Sequence, residues 1–196
     1  MHPYAADSNE RRTITFGLAV LAVATAWLFG RLLGLIHFVV PWWFDAPSTM
    51  GFFGFFYTIF DRIVWRQRWV RRIGLVKVPV LEGKWKGEVR SSFDEHAQAH
   101  EVSVIITQSW TRISLVLKSA NSVSQTLVAS LLVDTPEGAV LSYQYRNEPK
   151  PGALGTMQIH YGTARLVLRD AAALDGDYYS GRGRRNFGSL TLYRVT

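Results

Sequence analysis

From Ile14 to Gly30 the chain carries no charge, and after Arg31 the apolar run resumes from Leu32 to Val40. As a helix rising 1.5 Å per residue the run is roughly 40 Å long, more than the ~30 Å hydrocarbon core of a bilayer. It predicts a spanning helix that tilts, or whose last turns lie in the interface beside an aromatic belt of Trp42 and Trp43. A secretory signal peptide fits less well: Arg11 and Arg12 suit its basic end, but the run is too long and no small-x-small cleavage site follows. Arg31, near the end of the first ~20 residues, is expected to snorkel toward the interface.

A short loop bracketed by Pro41 and Pro47-Ser48-Thr49 leads to a second apolar run, Met50 to Phe60, which Asp61 and Arg62 separate from Ile63-Val64-Trp65. With its flanks this run is long enough for a return crossing, with Ser48 or Thr49 as N-cap. The expected organisation is an N-terminal tail (1–12), a transmembrane hairpin (13–65, helices about 14–38 and 47–65), a basic connector (66–80) and a final domain (81–196). The loop 41–49 has no Lys or Arg, whereas Arg11, Arg12, Arg62, Arg66, Arg68, Arg71 and Arg72 flank the outer ends. Positive-inside logic then places both termini in the cytoplasm of a multi-pass protein. Ala22, Ala26, Gly30 and Gly34 form a small-residue stripe for helix packing, either against a notch at Gly51 and Gly54 or between copies.

Nine of the twenty-two Lys/Arg but only four of the fifteen Asp/Glu fall in residues 1–80, so the basic excess sits beside the apolar runs. That placement speaks for anionic headgroups as partners and against a DNA or RNA duplex. In the connector Trp65 and Trp69 are expected to share a helical face, and Gly74 to end the helix. The absence of cysteine excludes disulfides, thiolate chemistry and Cys-based metal sites.

The pattern changes at Gly83-Lys84-Trp85-Lys86-Gly87-Glu88-Val89-Arg90, where small and large residues alternate with charges at period two. Similar segments recur around Val102–Ile106, Ile113–Leu117, Gln125–Val133, Leu141–Tyr145, Ala164–Leu168, Leu174–Tyr178 and Leu190–Arg194. Eight strands with short breaks and no helix-length pattern predict a small antiparallel up-and-down β-barrel, wide enough for one small ligand; a two-sheet sandwich is the alternative. The Gly83-x-Trp85 opening and the late Arg194 resemble lipocalin-like barrels, in which a first-strand Trp packs under a last-strand Arg at the closed end. Trp85 and Arg194 are therefore expected to close the barrel.

Several motifs occur in a specific order along nearly the whole chain. They are Phe44-Asp45-x-Pro47-Ser48, Ile59-Phe60-Asp61-Arg62-x-x-Trp65-Arg66, Leu81-x-Gly83-x-Trp85-x-Gly87, Tyr143-x-Tyr145-x-Asn147-x-Pro149, His160-x-Gly162-Thr163-Ala164-x-Leu166 and Leu174-x-Gly176-x-Tyr178-Tyr179. In this the chain resembles the two-transmembrane, β-strand-rich effectors of bacterial cyclic-oligonucleotide anti-phage signalling (CBASS). The resemblance implies a cytoplasmic barrel that senses a cyclic dinucleotide made by a partner CD-NTase. It further implies ligand-driven homo-oligomerisation and disruption of the inner membrane, which kills the infected cell.

No enzyme is expected: Gly-x-Ser-x-Gly, His-Glu-x-x-His and phosphate-cradling Gly-x-x-x-x-Gly-Lys are all missing, and nothing calls for a cofactor. His96 and His100 with Glu95 have helical metal spacing but fall at a hairpin tip, where that spacing does not converge. A cyclic dinucleotide calls for donors or cations toward its phosphates and aromatic faces toward its bases. Tyr143, Tyr145 and Asn147 share a strand face, as do His160 and Gly162. Tyr178 and Ser180 share another, leading into Arg182, Arg184 and Arg185, and Ser122, Ser124 and Thr126 form a hydroxyl row. The candidate ligand residues are Tyr143, Tyr145, Asn147, His160, Tyr178 and Arg182. A tethered lipocalin-like carrier of an apolar molecule is the competing reading, and a fully packed scaffold a third. A Leu/Val/Ile lining would favour the carrier; converging Tyr, Asn, His and Arg would favour the nucleotide.

Overall fold

A computed structural model of the protein describes residues 1–35, 37, 41, 45–170, 172–181 and 184–195. It comprises a helical unit, Asn9–Lys77, and a sheet unit formed by Met1–Ser8 together with Val78–Thr196.

In the helical unit α1 spans Glu10–Leu35 and α2 spans Asp45–Arg62. Among the described residues α1 is the one helix long and apolar enough to cross a membrane by composition. It begins four residues before the expected Ile14, because Glu10, Arg11 and Arg12 extend its first turn. The expected belt residues Trp42 and Trp43 lie outside the described residues. The Arg31 guanidinium carbon sits 5.3 Å from the ring centroid of Trp27, one turn back, so the cation finds an indole face. α1 and α2 pack together, with Phe29 edge-on to Phe52 at 5.9 Å. A Cβ built on Gly30, Gly34, Gly51 or Gly54 would meet nothing within 4 Å, so these glycines make no close notch within the hairpin. After α2 the helix breaks at Gln67, whose ψ of 135° is extended, before the single turn of α3, Arg68–Arg72. That break overturns the shared Trp65/Trp69 face: Trp65 is buried and Trp69 is exposed. Gly74, at φ +74°, takes the left-handed conformation that ends this turn.

The sheet unit is a closed barrel of nine strands among the described residues. Eight follow the expected meander: β2 Gly83–Ser91, β3 His100–Gln108, β4 Arg112–Ser119, β5 Ser122–Leu132, β6 Val140–Pro149, β7 His160–Arg169, β8 Ala173–Ser180 and β9 Phe187–Arg194. β2 pairs antiparallel with β9, from Trp85 opposite Arg194 to Ser91 opposite Gly188, which closes the cylinder. The ninth strand corrects the eight-strand count. β1, His2–Ala6, lies in the segment read as a tail. β4 and β5 pair only beside their turn, from Val116↔Gln125 to Lys118↔Val123. Beyond an irregularity between Thr126 and Val128 they part, and β1 fills the gap, antiparallel to β4 and parallel to β5.

Each meander strand changes character along its length. At one end the inward positions are fully buried and apolar: Trp85, Ile106, Ile113, Leu131, Leu141, Leu166, Leu174 and Leu192. At the other end the same strands and their edges turn Ser91, His100, Ser119, Ser122, Asn147, His160, Ser180 and Asn186 toward a cavity. The first set is a packed plug and the second a polar cup. At the plugged end the Arg194 guanidinium lies 4.7 Å from the centroid of the buried Trp85 ring. Trp85 Nε1 donates to the Leu81 carbonyl at 2.9 Å, and Arg194 donates to the carbonyls of Glu82 and Val80. Buried Gln108 completes this clamp, accepting from the Leu81 N–H at 2.7 Å and donating to the Pro79 carbonyl at 3.1 Å.

Candidate functional site

The cavity has a volume of about 410 Å³, within the range of sites that hold small ligands. Its floor is aliphatic (Val102, Leu115, Leu190), its wall is phenolic (Tyr143, Tyr145, Tyr178), and its mouth carries hydroxyls, amides and cations. Tyr143 and Tyr145, two apart on β6, hold their ring centroids 6.2 Å apart at 55°. Burial pushes the Tyr143 phenol well above the ordinary tyrosine range, with Tyr145 adding to it. Burial likewise raises Tyr145 to about 12, and Ser180 and Arg184 act in the opposite direction. All three phenols of the wall are therefore protonated donors at neutral pH.

Two of these tyrosines are held by the same device. Tyr145 pairs with Gly162 on β7, and Gly162 pairs with Ser180 on β8; the Ser180 hydroxyl eases ionisation of the Tyr145 phenol against the effect of burial. Tyr178 pairs with Gly188 on β9, and Gly188 pairs with Ser91 on β2; the Ser91 hydroxyl eases ionisation of the Tyr178 phenol against the effect of burial. In each case the phenol lies across a glycine toward a serine one strand further on. The glycines are obligatory. A Cβ on Gly162 would stand 2.3 Å from the Tyr145 ring and hydroxyl, and one on Gly188 would stand 2.9 Å from the Tyr178 ring and closer still to the Arg90 carbonyl.

Asn147 is buried between β5 and the 150–159 loop. Its Oδ1 accepts from the Ser124 hydroxyl at 2.8 Å, while Nδ2 donates to the Met157 sulfur at 3.2 Å. A thioether is a weak acceptor, so the amide has donor capacity to spare for a better partner. His160 Nδ1 meets the Gln158 carbonyl at 2.9 Å, and burial holds this imidazole below its ordinary range, with Arg184 lowering it further. The Arg184 guanidinium, 5.3 Å from the centroid of Phe93, is the cation that bears on Tyr145, Tyr178 and His160 together. Across the mouth His100 Nε2 meets Asp94 Oδ2 at 2.8 Å. His96 turns instead onto Phe187, ring centroids 5.8 Å apart, so the two histidines do not converge.

The arrangement offers stacking faces and neutral donors in depth and a cation at the rim. Residues 76–194 match the family model described as the Cap15 cyclic dinucleotide receptor domain, and residues 12–66 match the one described as the Cap15 TM helices. The chain belongs to the Cap15 family. CD-NTase-associated protein 15 of Yersinia aleksiciae is 32% identical over 155 residues, which are 78% of this chain and 72% of that protein. Like the Cap15 family as a whole, this is a CBASS-associated membrane protein that joins transmembrane helices to a β-rich receptor domain.

Within the Cap15 receptor domain, Tyr143, Tyr145, Asn147, His160 and Tyr178 all line the one cavity described above. Arg182 lies outside the described residues, and the neighbouring Arg184 lines the mouth. Sequence reasoning missed Phe93, His100 and Asn186 as lining residues. They flank strand ends, where period-two alternation stops giving a facing direction. It also missed the pairing of Tyr145 with Gly162 and of Tyr178 with Gly188, which depends on register between strands. The first Cap15 model begins at residue 12 and the second at 76, so neither covers β1.

Proposed function

We propose that this protein is a membrane-anchored anti-phage effector whose barrel binds a cyclic dinucleotide made by a partner CD-NTase. Binding drives homo-oligomerisation, and the clustered hairpins breach the bacterial inner membrane. The observation that carries this reading is the lining of the cup. Tyr145 and Tyr178 present ring faces for two bases, and Asn147 with Ser124 offers an edge for base hydrogen bonding. Arg184 and His160 stand where phosphates would sit at the rim. Leu, Val and Ile do not dominate the wall, which disfavours the apolar carrier. Both termini and the barrel are cytoplasmic on this reading, with α1 and α2 crossing as a hairpin. Of the Ala22, Ala26, Gly30, Gly34 stripe, Ala22 is buried within the chain, whereas Gly30 and Gly34 find no close partner there and serve packing between copies.

The test is titration of full-length protein in detergent with a panel of cyclic dinucleotides, followed by light scattering and leakage from protein-loaded vesicles. One member of the panel should bind, enlarge the particle and trigger leakage. Tyr145→Ala, which removes one stacking face worth ~1–3 kcal/mol, should weaken binding by about tenfold to a hundredfold while the protein stays folded. Particle size and leakage that ignore every member of the panel would overturn the reading.

A further inference from the structure

We propose that the seam between β4 and β5 is a strand-docking site which, in the assembled protein, takes the N-terminal strand of a neighbouring copy. The inference rests on the assembly step proposed above and adds how copies join. The seam is built to accept a strand. Without β1, β4 and β5 would each present unpaired backbone groups beyond Thr126, an edge that templates pairing. β1 satisfies both, with His2↔Ile113 and Pro3↔Arg112 on one side and Tyr4↔Ala129, Ala5↔Ser130 and Ala6↔Leu131 on the other. The fit is specific as well as generic. Buried Tyr4 donates its hydroxyl to the Trp110 carbonyl at 2.6 Å, and the Asp7 carboxylate accepts from the N–H groups of Val133 and Asp134 at 2.8 and 3.2 Å.

None of these contacts depends on which copy supplies the strand. Only residues 7–9 separate β1 from the start of α1 at Glu10, and a short hinge between a docked strand and a long element favours exchange. A barrel that donates its β1 to one neighbour and accepts another's makes a head-to-tail contact, which propagates instead of stopping at a dimer. Confinement in a bilayer raises the effective concentration of the incoming strand. The seam also touches the cup. Thr126 lines the cavity, and its hydroxyl both accepts from Leu115 N–H at 3.0 Å and meets His2 Nε2 at 3.1 Å. A ligand seated against Thr126 therefore bears on the first pinned residue of β1.

The chain has no cysteine, so crosslinks report only introduced pairs. Ala5 and Ser130 are register partners on the outer side of the seam. Full-length Ala5→Cys and Ser130→Cys chains would be mixed, reconstituted in lipid vesicles with and without cyclic di-AMP and cyclic GMP–AMP, oxidised, and run on non-reducing gels. A chain carrying Ser103→Cys with Lys118→Cys, register partners on β3 and β4, controls for folding and should crosslink only within itself. The expected result is a disulfide-linked Ala5–Ser130 heterodimer that becomes the main product when the protein is assembled. Assembled protein with no heterodimer, while a doubly substituted Ala5→Cys/Ser130→Cys chain crosslinks only internally, would overturn the proposal. If every member of the wider cyclic dinucleotide panel fails to assemble the protein, the second-messenger reading fails separately. Vesicles loaded densely enough for copies to touch still decide strand exchange, by presence or absence of the heterodimer.

Discussion

Trp85→Ala is the perturbation that the barrel should tolerate least. The indole is fully buried, and truncating a buried Trp to Ala costs about 3–5 kcal/mol in lost transfer energy and cavity. The hydrogen bond from Nε1 to the Leu81 carbonyl contributes about 1 kcal/mol. The Arg194 cation over the ring contributes about 1 kcal/mol more. The total, about 5–7 kcal/mol, approaches the whole stability of an ordinary domain, ~5–15 kcal/mol. With a urea dependence of about 1–3 kcal/mol per molar, the unfolding midpoint should fall by at least ~2 M, or the barrel should not fold at all. Because β1 precedes the membrane helices, the measurement belongs on the full chain. Pulse proteolysis in urea, in detergent, reads the barrel while α1 stays helical. Trp85→Phe, which keeps a ring under Arg194 but loses the N–H, should lose about 1–2 kcal/mol. A Trp85→Ala protein whose midpoint moves by less than ~0.5 M sinks the role assigned to this pair.

Gly162→Ala should abolish nucleotide binding and destabilise the barrel by several kcal/mol, since its Cβ meets both Tyr145 and the Tyr179 carbonyl; thermal melting with ligand titration checks both. Gln108→Leu strands the Leu81 N–H and Pro79 carbonyl and should cost about 2–4 kcal/mol, read by the same urea assay. In alkali the phenolate absorbance should include a late stage from the cavity tyrosines, with Tyr145 near 12. Unfolded tyrosines ionise near pH 10, whereas the folded cavity phenols hold their protons. Their contribution to stability is therefore complete below about pH 10 and is lost as pH rises toward 12. A single-stage phenolate titration centred near pH 10 in folded protein would contradict the buried phenols.

The meander was legible because period-two alternation survives wherever one face is wet, and the strand breaks fell on polar or Gly-containing stretches. Trp85 and Arg194 were readable as a pair because they sit on the first and last strands of that meander. β1 was not legible. His2-Pro3-Tyr4-Ala5-Ala6 is short, contains a proline, and finds its partners more than a hundred residues away, where no local pattern announces them. The helix break at Gln67 escaped for a related reason: Trp65 and Trp69 are spaced as on one helix, but spacing says nothing once the backbone between them extends. Tyr143, Tyr145, Asn147, His160 and Tyr178 were named from shared strand faces; that they line one cavity at one end of the barrel comes from the structure. What shared faces did not provide was the cross-strand glycine beneath each of two tyrosines, because pairing register is a tertiary fact.

The division of each strand into a plugged half and a cupped half has an evolutionary consequence. Residues that hold the barrel together and the polar residues that line its cavity occupy different segments of the same strands. Exchanging Ser124, Asn147 or Ser180 for another polar side chain disturbs few of the contacts that hold Trp85, Ile106 or Leu166 in place. Recognition can therefore drift quickly, site by site, against a stability reserve banked at the other end. A lineage pressed to change its signal molecule need not reinvent its fold.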